Sequence, residues 1–242
     1  MIILNLGCGT KTSPSQCVIN IDFSWYLRIK KNALLKRIAP IFLRGVRLER
    51  FQSLPINLMF HNLLNKLPFH SDSVDVVYLS HTLEHFDRKH VEAVLSNLKD
   101  ILKMNGFIRI SVPDFEKLCK DYLNNISIIE HHPELAEFHD NFISAIIAQS
   151  VRKEAYGTGE QKVFHKFVEN RILGDARKRR QTHQWMYDRI SLRELLKKIG
   201  FKNIGVKTYD TSAIPNWNSL RLDVNDLNQE YKPGSLYIEA QK

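Results

Sequence analysis

The stretch Ile2-Ile3-Leu4-Asn5-Leu6-Gly7-Cys8-Gly9, followed after a short link by Val18-Ile19-Asn20-Ile21-Asp22, decides the fold. Each part begins as a short apolar run, which is typical of a strand buried in a parallel sheet. Gly7 and Gly9 allow a sharp turn after the first strand and leave the backbone open beside a ligand. Asp22 falls at the carboxyl end of the second strand, where open α/β sheets bind ligands. We therefore expect a ligand site at this edge, with Asp22 accepting the hydroxyls of a ribose.

The spacing of the motif argues against a pyrophosphate cofactor. The dinucleotide fingerprint places a third glycine where this chain has Thr12. Its acidic residue lies about 20 residues beyond the glycines, whereas Asp22 follows Gly9 much more closely. Residues 10–17 are also too few for a full crossover helix between parallel strands.

Three later segments strengthen a family resemblance. They are Leu67-Pro68-Phe69-His70-Ser71-Asp72-Ser73-Val74-Asp75-Val76-Val77-Tyr78, Ser80-His81-Thr82-Leu83-Glu84-His85 and Trp185-Met186-Tyr187-Asp188. With the opening motif, they resemble class I S-adenosylmethionine-dependent methyltransferases, and in particular a small bacterial subgroup associated with cell-surface polysaccharide synthesis. The resemblance covers residues 1–22, 55–115 and 183–242.

The resemblance implies a Rossmann-like α/β fold, with a mostly parallel seven-stranded sheet, an antiparallel final strand and helices on both faces. It implies S-adenosyl-L-methionine as cofactor. The cofactor-binding residues that it implies are Asn5, Gly7, Cys8, Gly9, Asp22, Asn62, Leu63, Ser80 and His81. Asn62 stands where the family usually has an aspartate, and its side-chain carbonyl can also accept from an adenine amino group. Cys8 is expected to be a small filler in the turn.

The sequence predicts a fourth strand over Val74–Ser80 and a fifth over Phe107–Val112, and the candidate catalytic residues follow these strands: His85, His81 and Asp114. If residues 80–85 were helical, the two imidazoles at i and i+4 would share a face, and histidine suits proton transfer near neutral pH. A structural role for the histidines is an equal alternative. A metal site is the third, but no glutamate follows the first histidine and the resemblance brings no metal, so we predict none. His165, His183, Trp185 and Tyr187 either line an acceptor site or belong to the core.

The net charge of +9 is concentrated in one segment. Residues 23–52 carry eight Lys or Arg residues against a single acid, Glu49, and apolar residues are interleaved with them. We interpret residues 23–55 as a basic amphipathic insertion. It is either a helical flap with a solvated basic face, a surface that meets an anionic membrane or a lipid-linked, phosphate-bearing acceptor, or, least favoured, a nucleic-acid surface.

The remaining composition is that of a folded, cytoplasmic protein. Neither a transmembrane run nor a signal peptide is expected, and Cys8, Cys17 and Cys119 form no metal pattern. We predict a single domain over residues 1–242, with a helical insertion or lid over residues 115–190. The basic run Arg177-Lys178-Arg179-Arg180 is either a solvated face or part of that lid.

Local signals place the other elements. Residues 56–61 are a plausible third strand, a helix capped by Asp87 should run to about Met104, and Asn105-Gly106 is a helix stop before a strand over 107–112. A capping box is expected at Ser191, and Gly200 should end that helix.

The predicted function is methyl transfer to a sugar hydroxyl of a cell-surface glycan or a lipid-linked saccharide. Association at the inner face of the membrane would fit such an acceptor. The alternatives are a methyltransferase for a small metabolite or RNA, and a non-catalytic binding protein with this fold.

Overall fold

The computed structural model describes residues 1–23, 25–53, 58–150 and 182–242. These residues form a seven-stranded sheet in the order β3-β2-β1-β4-β5-β7-β6. Its strands are β1 (Ile3–Leu6), β2 (Val18–Asp22), β3 (Met59–Phe60), β4 (Val74–Ser80), β5 (Leu102–Pro113), β6 (Lys202–Lys207) and β7 (Ser235–Gln241). Strands β1 to β5 pair in parallel, and β7 runs antiparallel to both neighbours. The predicted fold class is confirmed.

Helices connect and cover the strands. They are α1 (Trp25–Lys31), α2 (Ala33–Phe42), α3 (Val46–Ser53), α4 (Arg88–Ile101), α5 (Phe115–His131), α6 (Asp140–Gln149) and α7 (Arg189–Ile199), with 3-10 turns η1 (Leu83–His85), η2 (Pro133–Phe138) and η3 (Trp217–Leu220). The predicted basic insertion thus contains α1 to α3, and the predicted lid contains α5, η2 and α6. Within the lid, His165 and the basic run 177–180 lie outside the described residues. No helix in the described ranges is long and apolar enough to cross a bilayer.

One face of the sheet is covered by α4 and α7. The apolar side of α4, with Val94 and Leu98, and that of α7, with Leu192 and Leu196, belong to the same core cluster as Leu4. The predicted cap Asp87 accepts a hydrogen bond from the backbone of Lys89. These contacts fix α4 and α7 against the strands whose ends form the ligand edge.

The opposite face is covered near β1 by an irregular segment. Ile214 and Trp217 pack on Ile3, Val76 and Tyr78, in a cluster that also includes Leu220 and Leu222. The first crossover is short, as predicted, so the segment between β6 and β7 supplies this apolar cover.

Five polar side chains cross that same face in register. They are successive partners in the pairing of neighbouring strands: Asn20 on β2, Asn5 on β1, Tyr78 on β4, Arg109 on β5 and Glu239 on β7. We call these five residues the polar row. The polar row faces the connection between β1 and β2 and the connection between β6 and β7, neither of which contains a long helix. Hydrogen bonds from the row hold both connections on the sheet.

Asp223 joins the polar row to the segment between β6 and β7. It accepts from Arg109 Nε at 2.9 Å, from the Tyr78 hydroxyl at 2.5 Å and from Trp217 Nε1 at 2.6 Å. Glu239 accepts from Arg109 Nη1 at 2.5 Å. The guanidinium also donates to the carbonyls of Thr208 and Thr211. Arg109 is fully buried, and its charge is matched by two buried carboxylates.

The predicted end of the helix before β5 was wrong. Helix α4 ends at Ile101, and β5 already begins at Leu102, so Asn105 and Gly106 lie inside the strand. The register jumps here, because Leu102 pairs with Val74 whereas Phe107 pairs with Val76. A Cβ at Gly106 would lie 2.9 Å from the Lys103 carbonyl oxygen. Asn105-Gly106 therefore forms a bulge, which sequence alone does not separate from a helix stop.

Two other local predictions need correction. The capping box of α7 is formed by Asp188 with Ser191, so Ser191 is the third helical residue rather than the cap; Gly200 ends the helix as predicted. The third strand is limited to Met59–Phe60, while residues 54–57 lie outside the described ranges.

Candidate active site

The carboxyl ends of four strands meet at one edge of the sheet. Leu6 at the end of β1 pairs with Ile21 of β2 and with Leu79 of β4. Asp22 at the end of β2 pairs with Phe60 at the end of β3. The sequence-predicted residues Gly7, Gly9, Asp22, Asn62 and Ser80 consequently lie at or just beyond neighbouring strand ends.

The glycine turn needs its two glycines for different reasons. Both have a left-handed backbone, with φ of 65° at Gly7 and 53° at Gly9. A Cβ on Gly7 would lie 2.3 Å from the Thr82 hydroxyl oxygen, so Gly7 is required for packing. A Cβ on Gly9 would meet no atom of the described residues within 4 Å. Gly9 therefore leaves open space at the edge, while its N–H donates to Asp22 Oδ2 at 2.8 Å.

A histidine that the sequence analysis missed lies next to Asp22. The backbone N–H of His61 donates to the Asp22 carbonyl, and His61 Nε2 is buried without a hydrogen-bond partner in the described ranges. The neighbouring Asn62 uses its side-chain carbonyl to accept from the Leu64 backbone. The position of His61 directly after β3 was the one signal in the sequence that pointed to this residue. The residue next to Asp22 across the β2–β3 pair thus has a buried ring nitrogen without a partner in the described ranges.

Two predicted cofactor residues have side chains engaged elsewhere. The Asn5 amide belongs to the polar row and donates to the Lys11 carbonyl and to Asn20 Oδ1. Cys8 is buried with Leu27 and Leu58. Burial, and then the charge of Asp22, raise the pKa of the Cys8 thiol far above its ordinary value. A cofactor role for either residue stays a prediction, and for Asn5 it is restricted to the backbone.

The residues after β4 do not form an α-helix. His81 has φ of 46° and precedes η1, which contains only Leu83–His85, so the two imidazoles do not share a helix face. His81 Nε2 lies 2.8 Å from Ser235 Oγ. Because that hydroxyl gives its proton to the Lys232 carbonyl, it accepts from His81. His85 instead donates from Nδ1 to the Thr182 carbonyl at 3.2 Å.

Glu84, between the two histidines, is a buried carboxylate with 1% of its surface exposed. Neither oxygen has a hydrogen-bond partner among the residues that the structure describes. The nearest ionisable groups are imidazoles: His81 Nδ1 lies 3.4 Å from Oε1, and His183 Nε2 lies 4.0 Å from it. Burial alone would raise the pKa of Glu84, but His81, His85 and His183 together outweigh burial and lower that pKa to about 2.

The segment 182–187 packs directly against Glu84. The backbone N–H groups of Gln184 and Trp185 donate to the Glu84 carbonyl at 2.6 and 3.3 Å. The His183 and His85 rings meet edge to face, with centroids 4.9 Å apart. Burial, followed by the charge of Glu84, raises the pKa of Tyr187. The structure therefore brings three of the four predicted acceptor-lining residues to Glu84.

Asp114 caps a helix at the same edge. Its carboxylate accepts from the backbone of Lys117 at 3.2 Å, in the first turn of α5. Burial raises the pKa of Asp114 above its ordinary value. Its backbone bridges that of Tyr187. A role in proton transfer stays a prediction for this residue, because capping accounts for its position.

Comparison with known proteins matches residues 18–206 to a family described as a methyltransferase domain. The chain belongs to this methyltransferase family. Its fold and family together make S-adenosylmethionine the cofactor and the protein an S-adenosylmethionine-dependent methyltransferase, as the resemblance implied.

Solved methyltransferase structures resemble the chain at low identity. A methyltransferase from Archaeoglobus fulgidus is 15% identical, with a TM-score of 0.45 over 99% of this chain and 85% of that one. One from Thermotoga maritima is 16% identical, with a TM-score of 0.44 over 100% and 82% of the two chains. A third, from Mesorhizobium loti, is 14% identical, with a TM-score of 0.41 over 100% and 90%. No curated protein sequence matches the chain.

The edge residues of the methyltransferase fit this cofactor. Gly9 leaves the turn open, Asp22 offers a carboxylate for ribose hydroxyls, and His61 Nε2 and the Asn62 amide lie at the end of the next strand. When bound, S-adenosylmethionine supplies a methyl group on a positively charged sulfur. The protein contributes by binding and aligning the two reactants, since alignment supplies much of the rate of such a displacement.

Proposed function

We propose that the methyltransferase modifies a sugar hydroxyl of a lipid-linked saccharide or cell-surface glycan, and that it meets this acceptor at an anionic membrane surface. The supporting observation is the exposed apolar side of helix α2. The preceding helix, α1, packs beside the glycine turn and so links the insertion to the reaction.

Helix α2 carries apolar residues on its outer side. Leu34 and Ile41 are 67% and 69% exposed, and Leu35 and Ile38 are also exposed. Leu34, Ile38 and Ile41 follow helical spacing and therefore form one stripe. Lys36 and Arg37 lie exposed on the same helix. An amphipathic helix with cations around an apolar stripe suits insertion into the interface of an anionic bilayer.

The helical insertion is anchored next to the glycine turn. Leu27 of α1 is fully buried and packs with Cys8, which lies between Gly7 and Gly9. Lys31 of the same helix donates to the Leu58 carbonyl at 2.7 Å. A membrane that received α2 would consequently lie near the cofactor edge, where a lipid-linked acceptor is needed.

The acceptor chemistry fits the residues after β4. A sugar hydroxyl is a poor nucleophile until its proton is removed as the new bond forms. His81 is held at both nitrogens, by Ser235 and by contact with Glu84. Among the described residues, the His85 ring is hydrogen-bonded at Nδ1, to the Thr182 carbonyl, and burial lowers its pKa, so its ring is neutral near pH 7. We therefore assign contact with the acceptor hydroxyl to the Glu84–His85 side of the edge.

Transfer of a radiolabelled methyl group tests the acceptor class. The protein is incubated with methyl-labelled S-adenosylmethionine and, separately, with membrane glycolipids, total RNA and soluble metabolites of the source organism. Label should enter the glycolipid extract and appear in a methylated monosaccharide after acid hydrolysis. Asp22→Asn, which keeps an acceptor oxygen but loses the charge, should bind S-adenosylmethionine at least tenfold more weakly and transfer less label. Label confined to RNA or to soluble metabolites would replace the proposal by that alternative.

Vesicle flotation tests the membrane surface. Wild-type protein should float with vesicles containing anionic lipid, and Ile41→Asp should reduce the bound fraction at least tenfold. Leu227→Asp is the matched control, because Leu227 is 76% exposed but lies outside the insertion. Equal flotation of all three proteins would show that α2 does not bind the membrane.

A further inference from the structure

Three side chains around η1 form the donor set of a metal site. Glu84 and His85 come from the turn after β4, and His183 comes from the segment before α7. One ligand atom from each residue lies within 4.8 Å of the other two. His183 Nε2 and Glu84 Oε1 are 4.0 Å apart. Zinc ligands at bond lengths near 2.1 Å are separated by roughly 3.4 Å in a tetrahedral site, so a small inward movement would suffice.

Backbone carbonyls fix both imidazoles in the tautomer that a metal requires. His85 Nδ1 faces the Thr182 carbonyl at 3.2 Å, and His183 Nδ1 faces the Gln149 carbonyl at 2.8 Å. A carbonyl only accepts, so each Nδ1 carries a proton, and in the neutral ring Nε2 keeps its lone pair. Metal-binding histidines are usually oriented in this way, with the other ring N–H donated to a carbonyl or carboxylate.

Unpaired buried atoms are concentrated at the same place. Both Glu84 oxygens, Gln184 Oε1 and the Tyr187 hydroxyl are buried without a hydrogen-bond partner in the described part of the chain. Most buried polar atoms in folded proteins are paired, so each exception needs an explanation. A bound cation would satisfy the carboxylate, and water on that cation would donate to the neighbouring oxygens.

We propose that Glu84, His85 and His183 bind one divalent transition-metal ion, with Zn²⁺ the expected occupant. Two imidazole nitrogens and one carboxylate suit zinc, whereas magnesium and calcium select oxygen ligands. The sequence predicted no metal, because the His81–His85 spacing was its only local sign of a metal site. The structure replaces His81 with His183, which no local pattern connects to Glu84.

Three protein ligands leave a coordination position open. Structural zinc sites are usually closed by four protein ligands, and three ligands with an open position are typical of catalytic sites. The open position would hold the hydroxyl oxygen of the acceptor, a role that rests on the proposed function. With the ion bound, His85 acts as a ligand.

Metal binding is measured on protein that has been stripped with a chelator and checked for folding by circular dichroism. Titration with Zn²⁺ alone should show one ion per chain, and Co²⁺ should give the visible absorption of a four- or five-coordinate site. Glu84→Gln and His183→Ala should each weaken zinc binding at least 100-fold.

His132→Ala is the matched control for adventitious binding. His132 and Glu134 form an exposed histidine–carboxylate pair with 3.2 Å between Nδ1 and Oε1. The control should bind zinc like the wild type. A wild type that binds no zinc, or a Glu84→Gln variant that binds it equally well, would overturn the metal site.

Separate titration with S-adenosylmethionine distinguishes the two proposals. Cofactor binding and glycolipid labelling by metal-free protein that takes up no zinc would reject the metal site and keep the proposed function. Specific zinc binding without labelling of any glycolipid would keep the metal site and reject the assigned acceptor.

Discussion

Two buried groups of charges in this methyltransferase have opposite hydrogen-bond environments. At the polar row, the adjoining Asp223 accepts from Arg109, Tyr78 and Trp217, and Glu239 accepts from Arg109 at 2.5 Å and from the Ala213 backbone at 2.8 Å. In the cluster after β4, both Glu84 oxygens lack a partner among the described residues. Both regions are buried, but the carboxylates at the polar row accept several hydrogen bonds, whereas the ionisable groups nearest to Glu84 in the described ranges are imidazoles, at 3.4 Å and 4.0 Å.

This difference indicates a structural role for the polar row and a binding role for the cluster around Glu84. Paired buried charges fix one arrangement of the chain, and the polar row fixes the segment 208–223 on the sheet. Unpaired buried charges raise the energy of the folded state unless a ligand satisfies them. The comparison therefore predicts that mutations in the polar row reduce stability, whereas mutations around Glu84 change ligand binding.

Arg109→Met should have the largest effect. It leaves Asp223 and Glu239 buried without their cation, which costs about 3–5 kcal/mol of the free energy of unfolding. Urea denaturation followed by circular dichroism measures the loss. Arg109→Lys, which keeps the charge but loses the planar fork, serves as a second variant if the first does not fold. A loss below about 1 kcal/mol in both variants would contradict the structural role of the polar row.

Zinc should stabilise the wild type and add no more than about 0.4 kcal/mol to Glu84→Gln, whose zinc affinity is at least 100-fold weaker. At a free zinc concentration of 100 times Kd, a ligand specific for the folded state adds about 2.7 kcal/mol to the free energy of unfolding. The same denaturation experiment with and without Zn²⁺ measures this gain, and Mg²⁺ is the control ion. Equal stabilisation of both proteins would place the ion away from Glu84.

Tyr78→Phe should have an intermediate effect. It removes the donor for Asp223 Oδ1, whose bond to the Tyr78 hydroxyl measures 2.5 Å, and leaves Arg109 in place. Leaving one buried acceptor unpaired costs about 1–2 kcal/mol. Urea denaturation should show a smaller loss than for Arg109→Met, and S-adenosylmethionine affinity should stay within twofold of the wild type. A stability equal to the wild type would mean that Asp223 does not depend on Tyr78.

Asp114→Asn should have the smallest effect on stability at pH 7, because asparagine and aspartate cap helices about equally well, within about 0.5 kcal/mol. Burial raises the pKa of Asp114, so the folded state binds a proton before the unfolded chain does. The wild type should therefore gain slight stability relative to Asp114→Asn as the pH falls through the folded pKa towards the ordinary value of 3.8. Denaturation of both proteins at pH 7 and pH 4 measures the difference. Unchanged labelling of the acceptor by Asp114→Asn would exclude this residue as the base.

The sheet and its ligand edge were predictable because their signals are local. A short apolar run marks a strand, and a glycine pair followed by Asp22 marks the edge, so β1, β2 and β4 begin or end within a residue of expectation. The bulge at Asn105 was not predictable, because the same dipeptide also ends helices. Its identity depends on the pairing with β4, which is a tertiary contact.

Only part of the cluster of Glu84, His85 and His183 could be predicted from the sequence. Glu84 and His85 were visible in one motif, but 97 residues separate His85 from Thr182, whose carbonyl orients it. The polar row was hidden for the same reason. Each of its members is flanked by apolar residues in its own strand, and the common row exists only once five strands are paired in register.

The residues that cover β1 are synthesised long after β1 itself. Ile214 and Trp217, which cover Ile3, are synthesised about two hundred residues after it. Contacts between such distant residues form slowly, because a long loop must close before they form. The nascent sheet therefore stays open on one face until residues 214–241 have been synthesised. During that interval, Ile3 of β1 and Val76 of β4 expose apolar surface that can associate with other chains.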